Sequence, residues 1–325
     1  MAAPMLEFRT QGYNPYAVKY SPYYDSRIAV ASSANYGIVG NGRLFALGLS
    51  AQGIQIEKTF DTNDALYDLA WSEINENQLV TACGDGSLKL FDLGVKDFPV
   101  MNFHEHKREA FSWSPTRNFS VKTLPVGNCT YSTSFCPSNS ALISAVSSDS
   151  HLRIYDLRTP SSAKYHLVSA IPVHGLPVGG QPSEILTHDW NKYNTNVVAT
   201  GGVDRILRTF DIRSSGGPLA VMPGHDYAVR RLAWSPHSSD MLLSASYDMT
   251  VRLWNDGSSS AAAVQQPPNP AAEPTPGVQM GVMNRHTEFA TGIDWCLFGM
   301  GGWVASVGWD ERVLLWDSKM LMGRR

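Results

Sequence analysis

The sequence predicts an all-β fold built from one repeated unit. Three observations support this. Five segments share one ending: an Asp, a strand pattern, then an aromatic residue followed by Asp or Asn. They are Asp85–Asp92, Asp149–Asp156, Asp204–Asp211, Asp248–Asn255 and Asp310–Asp317, each with a spacing of 7. Apolar and polar residues alternate within them, as in Leu88-Lys89-Leu90-Phe91 and Val251-Arg252-Leu253-Trp254, which is the period of a strand. Thirteen Tyr, 12 Phe, 9 Trp and 27 Gly suit short strands joined by tight turns.

Composition narrows the function. A chain of 325 residues can bury a large core as a single domain, residues 1–325. A formal net charge of -3 gives no generic attraction to nucleic acid or anionic membrane. Cys83, Cys129, Cys136 and Cys296 show no close-paired metal motif and read as small buried hydrophobes in a reducing compartment. No apolar run approaches a membrane span, and Met1–Thr10 lacks a signal-peptide core. Neither cofactor, metal nor direct membrane insertion is expected.

Two units carry a further regularity. His225, Ser244, Asp248 and Trp254 are separated by 19, 4 and 6 residues, and His286, Ser306, Asp310 and Trp316 by 20, 4 and 6. These units resemble the WD-repeat, one four-stranded blade of a β-propeller, usually a binding platform. The resemblance implies a relay in which Asp accepts from His and Ser links that His to the indole N–H. A catalytic His–Asp–Ser reading fits the residue types, but the set recurs in successive units, which points to structure.

Taken in order, repeat one runs from Tyr13 to about Gly48, with Asn41 where the others carry Asp; repeat two is Asp64–Leu93. Repeats four to seven are Asn128–Arg158, Ser183–Arg213, His225–Asp256 and His286–Asp317. Repeat three is anomalous. Asp85 to Asp149 is 64 residues, against 44 from Asp204 to Asp248. His104–Phe111 resembles a blade opening and Trp113–Arg117 a blade ending. His106 to Trp113 is 7 residues, whereas His286 to Trp316 is 30. About 23 residues, half a blade, are therefore absent around 104–117. The expected fold is an all-β WD-repeat β-propeller of the seven-bladed type with a truncated third blade. Gly257–Gly277, rich in Ser, Ala, Gln and Pro, reads as a disordered insert hanging below repeat six. Ile171–Pro182 reads as a long top loop. Met5–Arg9 alternates like a strand and supplies the fourth strand that repeat seven lacks.

Alignment of the repeats places a collar of residues in the top loops. It comprises Tyr13, Asn14, Tyr16, Asp64, Tyr67, Asn128, Tyr131, Glu184, Leu186, Asp226, Tyr227, Arg230, Glu288, Phe289 and Trp309. Acids mixed with exposed aromatics suit a ligand with basic and apolar groups on one side.

Several stretches carry a narrower resemblance: Tyr13–Pro22, Asp61–Glu73, His104–Glu109, Leu124–Ser132, Ser147–Arg158 and His188–Tyr193. They resemble receptors for the type 2 peroxisomal targeting signal, loops as well as strands. The resemblance implies a cytosolic receptor, cycling to the peroxisomal matrix, that binds matrix cargo with a co-receptor peroxin and delivers it to a docking complex. The family's signal has a basic residue and Leu, five spacers, then His or Gln and Leu. That spacing puts all four on one helical face, suited to a groove. The alternatives are a substrate adaptor of a cullin-type ubiquitin ligase, suggested by Tyr155–Arg158 and Phe210–Arg213, and a chromatin-binding module. An enzyme is not expected: His104-Glu105-His106 lacks the His-Glu-x-x-His spacing.

Overall fold

A computed structural model describes residues 5–95, 97–104, 124–160, 162, 166–174, 182–214, 217–257, 273–299 and 301–322. The first strand is β1 (Leu6–Arg9). Repeat one forms β2 (Asn14–Tyr20), β3 (Arg27–Ser33), β4 (Gly42–Ser50) and β5 (Gly53–Thr62). Repeat two forms β6 (Leu66–Trp71), β7 (Gln78–Cys83), β8 (Leu88–Asp92) and β9 (Met101–Phe103). Repeat four forms β10 (Thr130–Cys136), β11 (Asn139–Ser147), β12 (His151–Asp156) and β13 (Leu167–Pro172). Repeat five forms β14 (Ile185–Trp190), β15 (Val197–Gly202), β16 (Leu207–Asp211) and β17 (Ala220–Met222). Repeat six forms β18 (Val229–Trp234), β19 (Met241–Ser246) and β20 (Val251–Asn255), then β21 (Thr275–Pro276) and β22 (Val278–Met283). Repeat seven forms β23 (Ala290–Trp295), β24 (Trp303–Gly308) and β25 (Arg312–Asp317).

Each repeat is an antiparallel sheet with its strands hydrogen-bonded in chain order. β21 leaves repeat six and pairs in parallel with β17. The described residues thus give six sheets and no α-helix. These six sheets are the six whole blades expected: among the described residues repeat three contributes no strand, and residues 105–123, where its truncation falls, lie outside the described residues. They divide into two compact units, residues 1–122 with 284–325 and residues 123–283.

The spacing of 7 now has a physical cause. Its first Asp closes a turn onto the N–H two residues on, as Asp248 does with Thr250 at 3.0 Å and Asp310 with Arg312 at 3.2 Å. The intervening residue is left-handed: Gly86, Ser150, Arg205, Met249 and Glu311 all have φ between 62° and 81°. The closing residue repeats the device after the strand: Asp92, Asp156, Asp211, Asn255 and Asp317 each accept from the N–H two residues on. Two carboxylate-clamped turns bracket each short third strand, so the count between them cannot drift.

Burial follows strand position. Second strands are covered on both faces, so β15 is buried throughout and β3 reads Ile-Ala-Val-Ala without alternation. Cores form between successive sheets. One is shared by repeats seven and one, with Val18, Phe45, Val307 and Leu315; another by repeats one and two, with Leu44, Phe60, Leu79 and Phe91. In the second unit Trp190 and Ile154 join repeats four and five, while Leu207 and Trp254 join five and six. A further cluster of described residues, Ala82, Leu88, Leu90 and Phe103, lies on repeat two.

The N-terminal strand does complete repeat seven. β1 pairs with β25, Leu6 opposite Leu315 and Phe8 opposite Val313. Two loop readings need correction. Ile171 and Val173 are buried and Leu167–Pro172 is a strand, because these apolar residues close the core of repeat four; residues 175–181 lie outside the described residues. The insert is not irregular to its end: Thr275 and Gly277 donate to Leu219 and Val221 carbonyls at 2.8 and 3.0 Å, on the edge of repeat five. Residues 258–272 lie outside the described residues.

Candidate functional site

Both expected relays form. His225 Nδ1 lies 2.7 Å from Asp248 Oδ2 and His225 Nε2 2.6 Å from Ser244 Oγ, which accepts from Trp254 Nε1 at 2.8 Å. His286 lies 3.1 Å from Asp310 and 3.0 Å from Ser306, and Trp316 donates to Ser306 at 3.1 Å. Burial works against the charge on Asp248, yet the bonds from His225 and Thr250 hold its carboxyl well below the ordinary range. Burial pushes His225 down, so a neutral ring donates from Nδ1 and accepts from Ser244. These groups are consumed internally and offer no nucleophile.

Two relays escaped the sequence reading. His174 bonds Asp204 at 2.8 Å and Thr200 at 3.1 Å, at a His-to-Asp spacing longer than in repeats six and seven. In repeat four, Ser144 meets His188 Nε2 at 2.6 Å and Trp190 Nε1 at 2.7 Å, both from the next sheet. Burial pushes His188 down to about 4, and its Nδ1 has no hydrogen-bond partner among the described residues.

The loops entering first strands and those between second and third strands share one end of each sheet, here called the top. In the first unit this end carries an aromatic cluster. Trp309 meets the rings of Phe289, Tyr36 and Tyr16 at 5.2, 5.5 and 5.6 Å, and Tyr16 meets Tyr67 edge-on at 5.1 Å. Asp64 and Glu288 flank it in sequence. Asp64 is half-buried and accepts from the Ala65 N–H at 2.7 Å, while Glu288 is exposed.

Two collar members in this unit have other roles. Tyr13 turns away from the cluster: its ring packs on Phe45, with the Arg43 guanidinium 4.6 Å above it. Asn14 is buried, donates to the Trp309 carbonyl at 2.8 Å and accepts from the Tyr36 N–H at 2.9 Å. The sequence reading also missed Tyr36, Ile38 and Val39. They sit in the loop between β3 and β4, eight residues long where the other repeats use three or four. That excess length, Ala34–Asn41, was the available signal.

In the second unit, Tyr131 donates to Glu184 Oε2 at 3.1 Å, and burial followed by the Glu184 charge pushes the phenol up. Asn128 donates to Asp149 at 2.9 Å. Asp226 and Tyr227 are exposed, Arg230 is half-buried three residues after Tyr227, and Leu186 is half-buried two residues after Glu184. Cys129 is exposed, unlike the other three cysteines. Among the described residues no group of three His, Cys, Asp or Glu could hold a metal ion.

Residues 216–255 match the family described as WD domain, G-beta repeat. A Saccharomyces cerevisiae protein named Peroxisomal targeting signal 2 receptor is 36% identical over 383 residues, covering 96% of this chain and 99% of the relative. A protein of that name from Schizosaccharomyces pombe is 32% identical over 340 residues, covering 97% and 100%. One from Mus musculus is 37% identical over 321 residues, covering 95% of each. Similarity of this extent, on sheets clamped by the repeated Asp turns, establishes that the chain belongs to the WD-repeat family of peroxisomal targeting signal 2 receptors.

Proposed function

We propose that this chain is a cytosolic receptor, one propeller domain over residues 1–325, that binds the type 2 targeting signal at the N-terminus of peroxisomal matrix cargo. With a co-receptor peroxin it delivers cargo to the docking complex and the peroxisomal matrix. The observation that carries the site is the top of the first unit, where exposed Tyr36 and the half-buried rings of Tyr67, Phe289 and Trp309 lie beside Asp64 and Glu288. An amphipathic helix with a basic residue and two Leu on one face matches that chemistry. Glu184 and Asp226 give the second unit's top the same acidic character. Such a receptor needs no catalytic group. The relatives named as targeting signal 2 receptors favour this reading over the ligase-adaptor one.

We further propose a seven-bladed parent with half of repeat three lost. The repeat arithmetic supports it: Asp85 to Asp149 is 64 residues, against 44 from Asp204 to Asp248.

The test titrates a fluorescent signal peptide with co-receptor against charge reversals. Asp64→Arg and Glu288→Arg should weaken binding, most at low salt for the exposed Glu288. Glu73→Arg, exposed at the opposite end of repeat two, should not. Asp256, a bottom-face control by sequence position, is fully buried and unsuitable. Wild-type binding by both top variants and loss by Glu73→Arg would place the ligand on the other face.

A further inference from the structure

The loop between β3 and β4 is built against ordinary turn chemistry. Asn35, Tyr36 and Gly37 are left-handed in succession, with φ of 49°, 56° and 69°. Side chains from two neighbouring first strands pin its backbone. Asn14 accepts from the Tyr36 N–H at 2.9 Å, Tyr16 donates to the Tyr36 carbonyl at 2.8 Å, and Tyr67 donates to the Gly37 carbonyl at 3.3 Å. A Cβ at Gly37 would lie 2.9 Å from the Tyr16 hydroxyl, so only glycine fits beneath the loop. What this clamped backbone presents is apolar: Tyr36, Ile38 and Val39 are 50%, 81% and 68% exposed. β-branched residues have no turn-forming role, and left-handed backbone at a Tyr is costly. Neither choice serves the fold. An unfavourable conformation that is over-determined by its surroundings and displays apolar side chains marks a contact surface.

We infer that Tyr36, Ile38 and Val39 form a rigid lip that receives the apolar side chains of the targeting helix and sets the requirement for them. The inference rests on the receptor reading above and names which face of the helix meets which residues. Tyr36 stacks on Trp309 at 5.5 Å, so the lip is continuous with the Trp309–Phe289 platform. A helix lying across it meets Ile38 and Val39 with one apolar side chain and the platform with another. Asp64 and Glu288 remain for its cation. Because the loop is held before binding, no ordering cost falls on the complex.

The test is a double-mutant cycle on the full chain, with a fluorescent type 2 signal peptide and co-receptor, read by anisotropy. Ile38→Ser and Val39→Ser should each weaken binding roughly tenfold and leave the thermal midpoint unchanged, since both side chains are solvent-exposed. Leu→Ala in the peptide should weaken binding to the unaltered chain roughly tenfold, and to the Ile38→Ser chain far less, because the partner is already gone. Two full, additive losses would overturn the lip and leave the receptor reading intact. Normal binding by both Ser variants would do the same. No binding by the unaltered chain would overturn the receptor reading, and the lip with it.

Discussion

Asp248 accepts from both His225 Nδ1 and the Asp226 N–H, at 2.7 and 3.1 Å, and so ties the top loop of repeat six to its central hairpin. Asp310 repeats this with His286 and the Thr287 N–H, at 3.1 and 3.0 Å. One carboxylate therefore fixes a loop, a turn and a buried indole through its relay. The acidic residue that the repeat pattern isolates is an architectural group whose removal should be felt well beyond its own turn.

Asp248→Ala leaves a buried ring N–H and a backbone N–H without an acceptor. We expect a loss of about 2–4 kcal/mol in chemical denaturation. Asp226→Ala, whose carboxylate is exposed, should change stability by less than about 0.5 kcal/mol. Equal effects of the two would contradict the relay's role.

Stability should fall as acid is added, in two stages. An unfolded His titrates near 6.5, whereas His188 is pushed down to about 4 by burial. Between these values the unfolded chain binds a proton that the folded chain does not. Its contribution is whole above about pH 6.5 and lost toward pH 4, roughly 3 kcal/mol in all. Asp248 and Asp310 lie below the ordinary carboxylate range, so their contributions hold above about pH 4 and are lost below it. Denaturant midpoints from about pH 2 to 8 would show this, and His188→Gln should flatten the upper stage. An unchanged slope in that variant would assign the stage to other groups.

Restoring about half a blade, about 23 residues, between Phe111 and Trp113 should raise soluble yield and thermal midpoint. Identical melting of the two chains would mean that the gap is already accommodated.

Removing residues 1–9 exposes the edge of β25 and the ring of Phe45, on which Phe8 packs edge-on at 6.2 Å. We expect aggregation and a lower midpoint, with Phe8→Ala alone costing roughly 2 kcal/mol. A truncated chain that melts like the full one would show that β1 is dispensable.

Much of this architecture was legible because two turns per repeat use the same side-chain chemistry. Asp85 and Asp92 or Asp310 and Asp317 recur at a fixed distance for that reason, and the strands between them follow. The site was less legible. Tyr16, Tyr67 and Trp309 fall where alignment places them, yet their partner Tyr36 comes from a loop without counterpart in the other repeats. Asn14 looks like a surface group by position, but its two bonds to Trp309 and Tyr36 bury it. His174 was hidden because its distance to Asp204 departs from the spacing in repeats six and seven. Repetition exposes what repeats share, while recognition is built from what one repeat does alone.

Leu6 opposite Leu315 has a consequence for biosynthesis. The ribosome makes β1 well before its partner β25, which follows roughly half a minute later at about 10 residues per second. Throughout translation the nascent chain trails an unpaired strand, and a prematurely terminated product keeps it for good. The last sheet is a proofreading seam: it zips only when two strands 309 residues apart have both been made.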